Sequence, residues 1–134
     1  MLQVTNPTVL LLQQARALIA EPEHWTQNTI ARDKDGYPLP ANHSRAVAFC
    51  AMGALLQVDG KEFPDCISPA VDAAMDALNR TLDLGELSIR VMPNVLASYT
   101  VHGGRNFTIL NDFGTHAEVL AMFDKAIEME LVAA

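Results

Sequence analysis

From Ala46 to Leu56 the chain carries no charged and no amide side chain. A stretch this apolar on every face has to be enclosed, by protein or by lipid. It is shorter than the ~20 residues a helix needs to cross a bilayer, so a protein interior is its natural place. The run predicts a buried helix over residues 44–58, capped at its start by Asn42 or Ser44 and stopped at Asp59-Gly60. Ala46, Cys50, Gly53 and Ala54 fall on one side of that helix, where small residues let a second backbone come close. Phe49, Met52 and Leu56 fill volume on another side.

Three further helices are expected around it. Asn6-Pro7 supplies a cap followed by a proline suited to the first helical position, and Leu11, Ala15, Leu18 and Ile19 recur at helical spacing, giving a helix over 6–20. Ser68-Pro69 repeats that start for 68–82, with Val71, Ala74, Met75, Leu78 and Leu82 as its apolar stripe. Thr115-His-Ala-Glu118 has the form of a capping box, and Val119, Leu120, Phe123, Ala126, Ile127 and Leu131 continue as an apolar face over 115–131.

The intervening segments read differently. Trp25 to Arg32 is rich in β-favouring residues, Asp33-Lys-Asp-Gly36 is a turn, and Tyr37-Pro-Leu-Pro40 excludes a long central strand. A short hairpin or an ordered loop over 23–43 follows. Asp33-Lys-Asp-Gly36 reads as a hairpin turn and not as a calcium loop, because Ala31 stands where an oxygen ligand is required, Asn42 where a carboxylate is required, and Pro38 intrudes. Residues 86–92 fit strand or helix, 93–99 a short helix, His102 to Asn106 a turn, and Phe107 to Leu110 a short apolar element.

The expected architecture is therefore mainly α, a single domain over residues 1–134 built as a bundle of four or five helices with the 44–58 helix at its centre and a small β-hairpin or ordered loop on one side. The alternative is α+β, with 86–92 and 107–110 paired as strands. At 134 residues one domain is the right size, burying about two-thirds of the surface its unfolded chain exposes.

Charge narrows the partners. Nine basic residues stand against sixteen acidic ones, a formal net charge of −7. That balance supplies no basic footprint for nucleic acid and no attraction to anionic lipid, so neither a nucleic-acid nor a membrane partner is expected. A protein partner, a small ligand or a second copy of the chain remains open. The N-terminus shows no basic leader or cleavage pattern, which points to the cytoplasm, where Cys50 and Cys66 would be free thiols. His24, His43, His102 and His116 show no i, i+4 pair and no CxxC neighbour, so neither a metal site nor a cofactor is expected.

One combination resembles a known family. Trp25-Thr-Gln27, then Ala31-Arg-Asp33 with Gly36 after it, Phe49-Cys-Ala-Met-Gly-Ala-Leu55, and Asn111-Asp112 followed by Thr115-His-Ala-Glu-Val-Leu120 and Phe123-Asp-Lys-Ala-Ile127 occur in this order. The chain is similar, over most of its length, to small bacterial and bacteriophage proteins grouped as a domain of unknown function. Over 83–106 it is longer than the family pattern. The resemblance implies a small, mostly helical intracellular protein and assigns no catalytic residue.

The reactive-looking residues are Cys50, His116 and Asp112, which in that order have the chemistry of nucleophile, base and orienter. Against that role, Cys50 falls in the middle of the expected helix, whereas activated thiolates sit at helix starts. His116 takes the first position of the last helix, where the dipole disfavours an imidazolium. A buried cysteine is more often a small hydrophobe. Asn111-Asp112 closes a turn, or Asp112 holds Arg32 or Trp25 and so pins the long loop to the last helix. A cleft between hairpin and last helix, lined by Trp25, Arg32, Asn111 and His116, is the ligand-binding candidate. A non-catalytic binding or adaptor protein is the leading functional expectation, with a thiol-dependent hydrolase or transferase as the alternative.

Overall fold

A computed structural model describes residues 6–60, 67–83, 86 and 106–133. The fold is mainly α, with five helices among the described residues and a small antiparallel sheet.

Helix α1 (Pro7–Leu18) begins as its sequence requires. The Asn6 side chain accepts from the Thr8 and Val9 N–H groups at 3.0 and 3.3 Å, and Pro7 fills the first turn. Leu12, Ala15 and Ile19 are fully enclosed. The chain then passes through a single 3-10 turn (Pro22–His24) into Trp25.

The hairpin is present. Strand β1 (Ala31–Arg32) pairs with β2 (Pro38–Leu39) in the register Ala31 opposite Leu39. The Asp33 carboxylate accepts from the Asp35 and Tyr37 N–H groups at 2.9 and 3.0 Å, and Gly36 takes φ +88°, a conformation that suits glycine. A third strand, β3 (Ala48–Phe49), lies on the other side of β1, giving the order β2-β1-β3.

That third strand corrects the expected 44–58 helix. Helix α2 runs Ala51–Asp59, and its cap is Cys50, not Asn42 or Ser44. Ala48 and Phe49 are both buried, so the strand is apolar on both faces and continuous with the apolar helix that follows. Periodicity does not separate a doubly buried strand from a buried helix turn. The open edge of β1 decides the matter, because the Val47 N–H finds the Arg32 carbonyl at 2.9 Å and the Cys50 N–H finds that of Ile30 at 3.1 Å. Every residue from Ala51 to Leu56 is buried, and Gly60, at φ +74°, closes the helix. The close approach expected of the small residues is real at Gly53, where a Cβ would lie 2.0 Å from the Ile30 carbonyl oxygen.

Helix α3 (Pro69–Arg80) starts with Ser68 accepting from the Val71 N–H at 3.1 Å. Residues 107–110 are not a strand; they open helix α4 (Phe107–Phe113). Four residues are too few to display a period, but in the helix Phe107, Leu110 and Asn111 share its buried side. The Phe107 N–H is taken by the Asn79 side chain of α3 at 3.0 Å, which fixes where the helix begins. Helix α5 (His116–Ala133) carries the capping box, with Thr115 and Glu118 exchanging hydrogen bonds of 3.0 and 3.2 Å. Val119, Met122, Phe123 and Ala126 form its buried face, whereas Leu131, expected on that face, is 56% exposed.

Helix α1 packs against α2, α3 and α5, and α3 packs against all four other helices, while α2 carries the bundle toward the sheet and α4. Arg16 of α1 grips Asp124 of α5 through two bonds of 2.6 and 3.1 Å, and Arg80 of α3 pairs with Glu130. The segment 93–99, most of 86–92, most of the 102–106 turn, and Cys66 lie outside the described residues. Among the described residues no helix is long and apolar enough to cross a membrane.

Candidate functional site

The segment after the 3-10 turn, the β3–α2 junction and the end of α4 converge on one side chain. Asn111 is 1% exposed, and its amide is fully engaged. Its Oδ1 accepts from the Trp25 indole N–H at 2.8 Å and from the Ala51 N–H, at the start of α2, at 3.0 Å. Its Nδ2 donates to the Thr26 carbonyl at 3.1 Å and to Asp112 at 3.2 Å. Its own carbonyl accepts from Gln27, whose amide also reaches the Gly114 carbonyl at 2.9 Å. A buried amide is tolerated when donors and acceptor are satisfied, and here the same bonds tie three chain segments together.

Asp112 sits beside this junction. It accepts from the Asn28 N–H at 2.9 Å and holds Asn28 at φ 68°, the left-handed region that asparagine enters more readily than most residues. Asp112 does not hold Arg32 or Trp25 as expected, and the loop is pinned to α4 rather than to the last helix: Trp25 goes to Asn111 and Asp112 to Asn28. Arg32 turns instead to its own hairpin and loop, donating to Thr26 Oγ1 at 2.8 Å and to the Gly36 and Gln27 carbonyls at 2.9 and 3.2 Å.

Cys50 and Asp112 line one cleft of about 200 Å³, with Asn28 and Thr29 from the loop and Thr108 from α4 on its rim and Ile30 and Met52 as its apolar wall. Cys50 is the first residue before α2, not a mid-helix residue. That is a position where helix N–H groups favour a thiolate. Its Sγ does accept from the Gly53 N–H at 3.3 Å. Burial nevertheless prevails: it pushes the thiol from 9.0 up to about 11, the Gly53 N–H pulls it partly back, and the negative Asp112 adds a further rise. At neutral pH the sulfur is a neutral thiol.

His116 is turned elsewhere. Its Nε2 donates to the Ile19 carbonyl at 2.7 Å, and its ring lies against Trp25, with centroids 5.4 Å apart. No hydrogen bond joins it to Cys50 among the described residues. The structure thus brings together two groupings: Trp25, Asn111 and His116 around the buried amide, and Cys50, Asn111 and Asp112 at the cleft. Arg32 joins neither through a side-chain bond.

Asn28, Thr29, Ile30, Met52 and Thr108 are the cleft residues that sequence reasoning did not single out as site candidates. Asn28 carried one faint signal, as a turn-prone residue between the Trp-Thr-Gln segment and a β-branched run. Thr108 carried none, because its side of α4 appears only once the helix is known.

No curated protein and no solved structure matches this chain. A family model matches residues 4–129, nearly the whole chain, in agreement with the resemblance to an uncharacterised domain family. The chain belongs to DUF6197, a family of unknown function.

Proposed function

We propose that this protein is a cytoplasmic binding module without covalent chemistry of its own, and that the cleft between the Asn28–Ile30 loop, the start of α2 and α4 is where it meets its ligand. One observation carries the reading. The nucleophilic atom lining the cleft, the Cys50 sulfur, is buried, used as a helix cap and held as a neutral thiol by a rise to about 11. The cleft has the walls of a binding site, with an apolar side and a few placed polar groups, and no activated attacking group lines it among the described residues.

A thiol-dependent hydrolase or transferase is the second reading. What favours it is the placement of Cys50 at a helix start directly after a strand. His116 would have to leave the Ile19 carbonyl to serve as its base.

Alkylation separates the two. The native protein is treated with iodoacetamide at neutral pH, and peptide mapping reports Cys50 apart from Cys66. We expect Cys50 to be labelled only after denaturant is added. Labelling of native Cys50 at or above the rate of a free cysteine overturns the non-catalytic reading in favour of the thiol enzyme.

A further inference from the structure

Helix α1 carries one charged side chain, Arg16, and it is turned onto Asp124 of α5. The outward face of the helix is otherwise neutral. Its exposed residues are Pro7, Leu10, Gln13, Gln14 and Ala17. Leu10, Gln13, Gln14 and Ala17 stand at i, i+3, i+4 and i+7, so they form one continuous stripe. Leu10, the large apolar member, is 45% exposed. The other two long helices differ. Among the described residues α3 exposes Asp72, Asp76 and Arg80, and α5 exposes Asp124, Lys125 and Glu128.

On this chain an uncharged stripe has a particular meaning. With a formal net charge of −7, two copies repel one another wherever both present charge. The outward face of α1 is a place where they can meet without that cost. The order of its residues also fits itself. About a two-fold axis between positions 13 and 14, two antiparallel copies of α1 set Leu10 of each against Ala17 of the other, and Gln13 of each against Gln14 of the other. A large side chain then meets a small one, which lets facing helices interdigitate. Each glutamine amide has donors and an acceptor, so a Gln13–Gln14 pair satisfies itself whichever copy supplies which member. A parallel pairing would set Leu10 on Leu10 and Ala17 on Ala17 and lose that fit.

We propose that α1 is a homodimer contact, with a second copy of this chain seated antiparallel on the Leu10, Gln13, Gln14 and Ala17 stripe. The proposal goes beyond the ligand reading and is independent of it, since no residue of α1 lines the cleft. One helix face makes a small interface, of the class below ~1,200 Å² in total that associates weakly and transiently, so the Kd is on the order of 100 μM.

Sedimentation equilibrium of the full chain tests this, at loading concentrations on both sides of that Kd and at low and high salt. A reversible monomer–dimer equilibrium is expected. It should tighten as salt rises, because screening removes the repulsion between two copies of −7, whereas a contact held by ion pairs would weaken. Leu10→Glu alters a side chain already open to water and is expected to raise the Kd by about tenfold or more, with the helical circular dichroism unchanged. Two double variants, compared at high salt, read the register. Gln13→Glu with Gln14→Glu sets carboxylate against carboxylate across the axis and is expected to abolish the dimer. Gln13→Lys with Gln14→Glu sets opposite charges in both facing pairs and is expected to keep it. A chain that stays monomeric at every concentration and salt overturns the proposal. So does a dimer indifferent to Leu10→Glu, or one in which the two double variants behave alike, because a parallel pairing places like charges together in both.

Discussion

The indole N–H of Trp25 donates to the side-chain oxygen of Asn111 at 2.8 Å, across 86 positions of sequence, and that same oxygen accepts the first N–H of α2. One buried atom thus sets the position of the entering loop and the start of the central apolar helix.

Replacing Asn111 by Ala leaves the Trp25 and Ala51 N–H groups without their acceptor inside the protein. Unfolding by urea should show a loss of roughly 3 kcal/mol, the cost of two buried donors left unpaired. Trp25→Phe should cost less, and a double-mutant cycle between the two should give a clear coupling energy. Additive effects would show that the bond contributes nothing beyond packing.

Cys50 gives a pH signature. Its folded-state value, about 11, lies above the ordinary 9.0, so the folded protein holds this proton more tightly than the unfolded chain. The corresponding stability is complete below pH 9 and is lost as pH rises toward 11, to the extent of roughly 2–3 kcal/mol. Urea midpoints measured from pH 8 to 11 should fall in the wild type. In Cys50→Ser, which preserves a cap for the Gly53 N–H, the share of that fall due to the thiol should disappear.

Gly53→Ala places a Cβ 2.0 Å from the Ile30 carbonyl oxygen. Neither partner is a side chain tip that could swing aside, so β1 and α2 must separate. The expected loss is about 3 kcal/mol or more, with the sheet amides losing hydrogen-exchange protection first. A variant as stable as the parent would show that this contact is looser than described.

Thr115→Ala removes half of the capping box of α5. Thermal unfolding should register a loss of about 1 kcal/mol, without change in the near-ultraviolet signal of Trp25. A similar loss is expected for Ser68→Ala at α3, because each cap serves only its own helix.

The parts of this fold that were legible in sequence are those where one local rule acts alone. Asn6-Pro7, Ser68-Pro69 and Thr115 with Glu118 mark helix starts by side-chain chemistry that needs no distant partner. The turn at Asp33 to Gly36 is of the same kind. The β3–α2 boundary was hidden because Ala48 and Phe49 are buried on both sides, and only the strand beside them distinguishes ladder from helix. The candidate residues Trp25, Asn111 and Asp112 were visible as polar or aromatic groups in want of partners, but their pairing was not. Which of two adjacent residues takes the indole depends on the turn of α4, and α4 itself was not legible from the four residues Phe107 to Leu110.

The three-stranded sheet is closed to newcomers. Its outer strand, β2, is two residues long and begins with Pro38, which has no N–H to offer. On the opposite side Trp25 bridges to Phe49 and the Thr26 N–H already occupies the Phe49 carbonyl. Among the described residues, a peptide seeking to extend this sheet finds no long row of vacant backbone groups on either flank, so the sheet is a poor template for strand addition by a partner or by another copy in an aggregate.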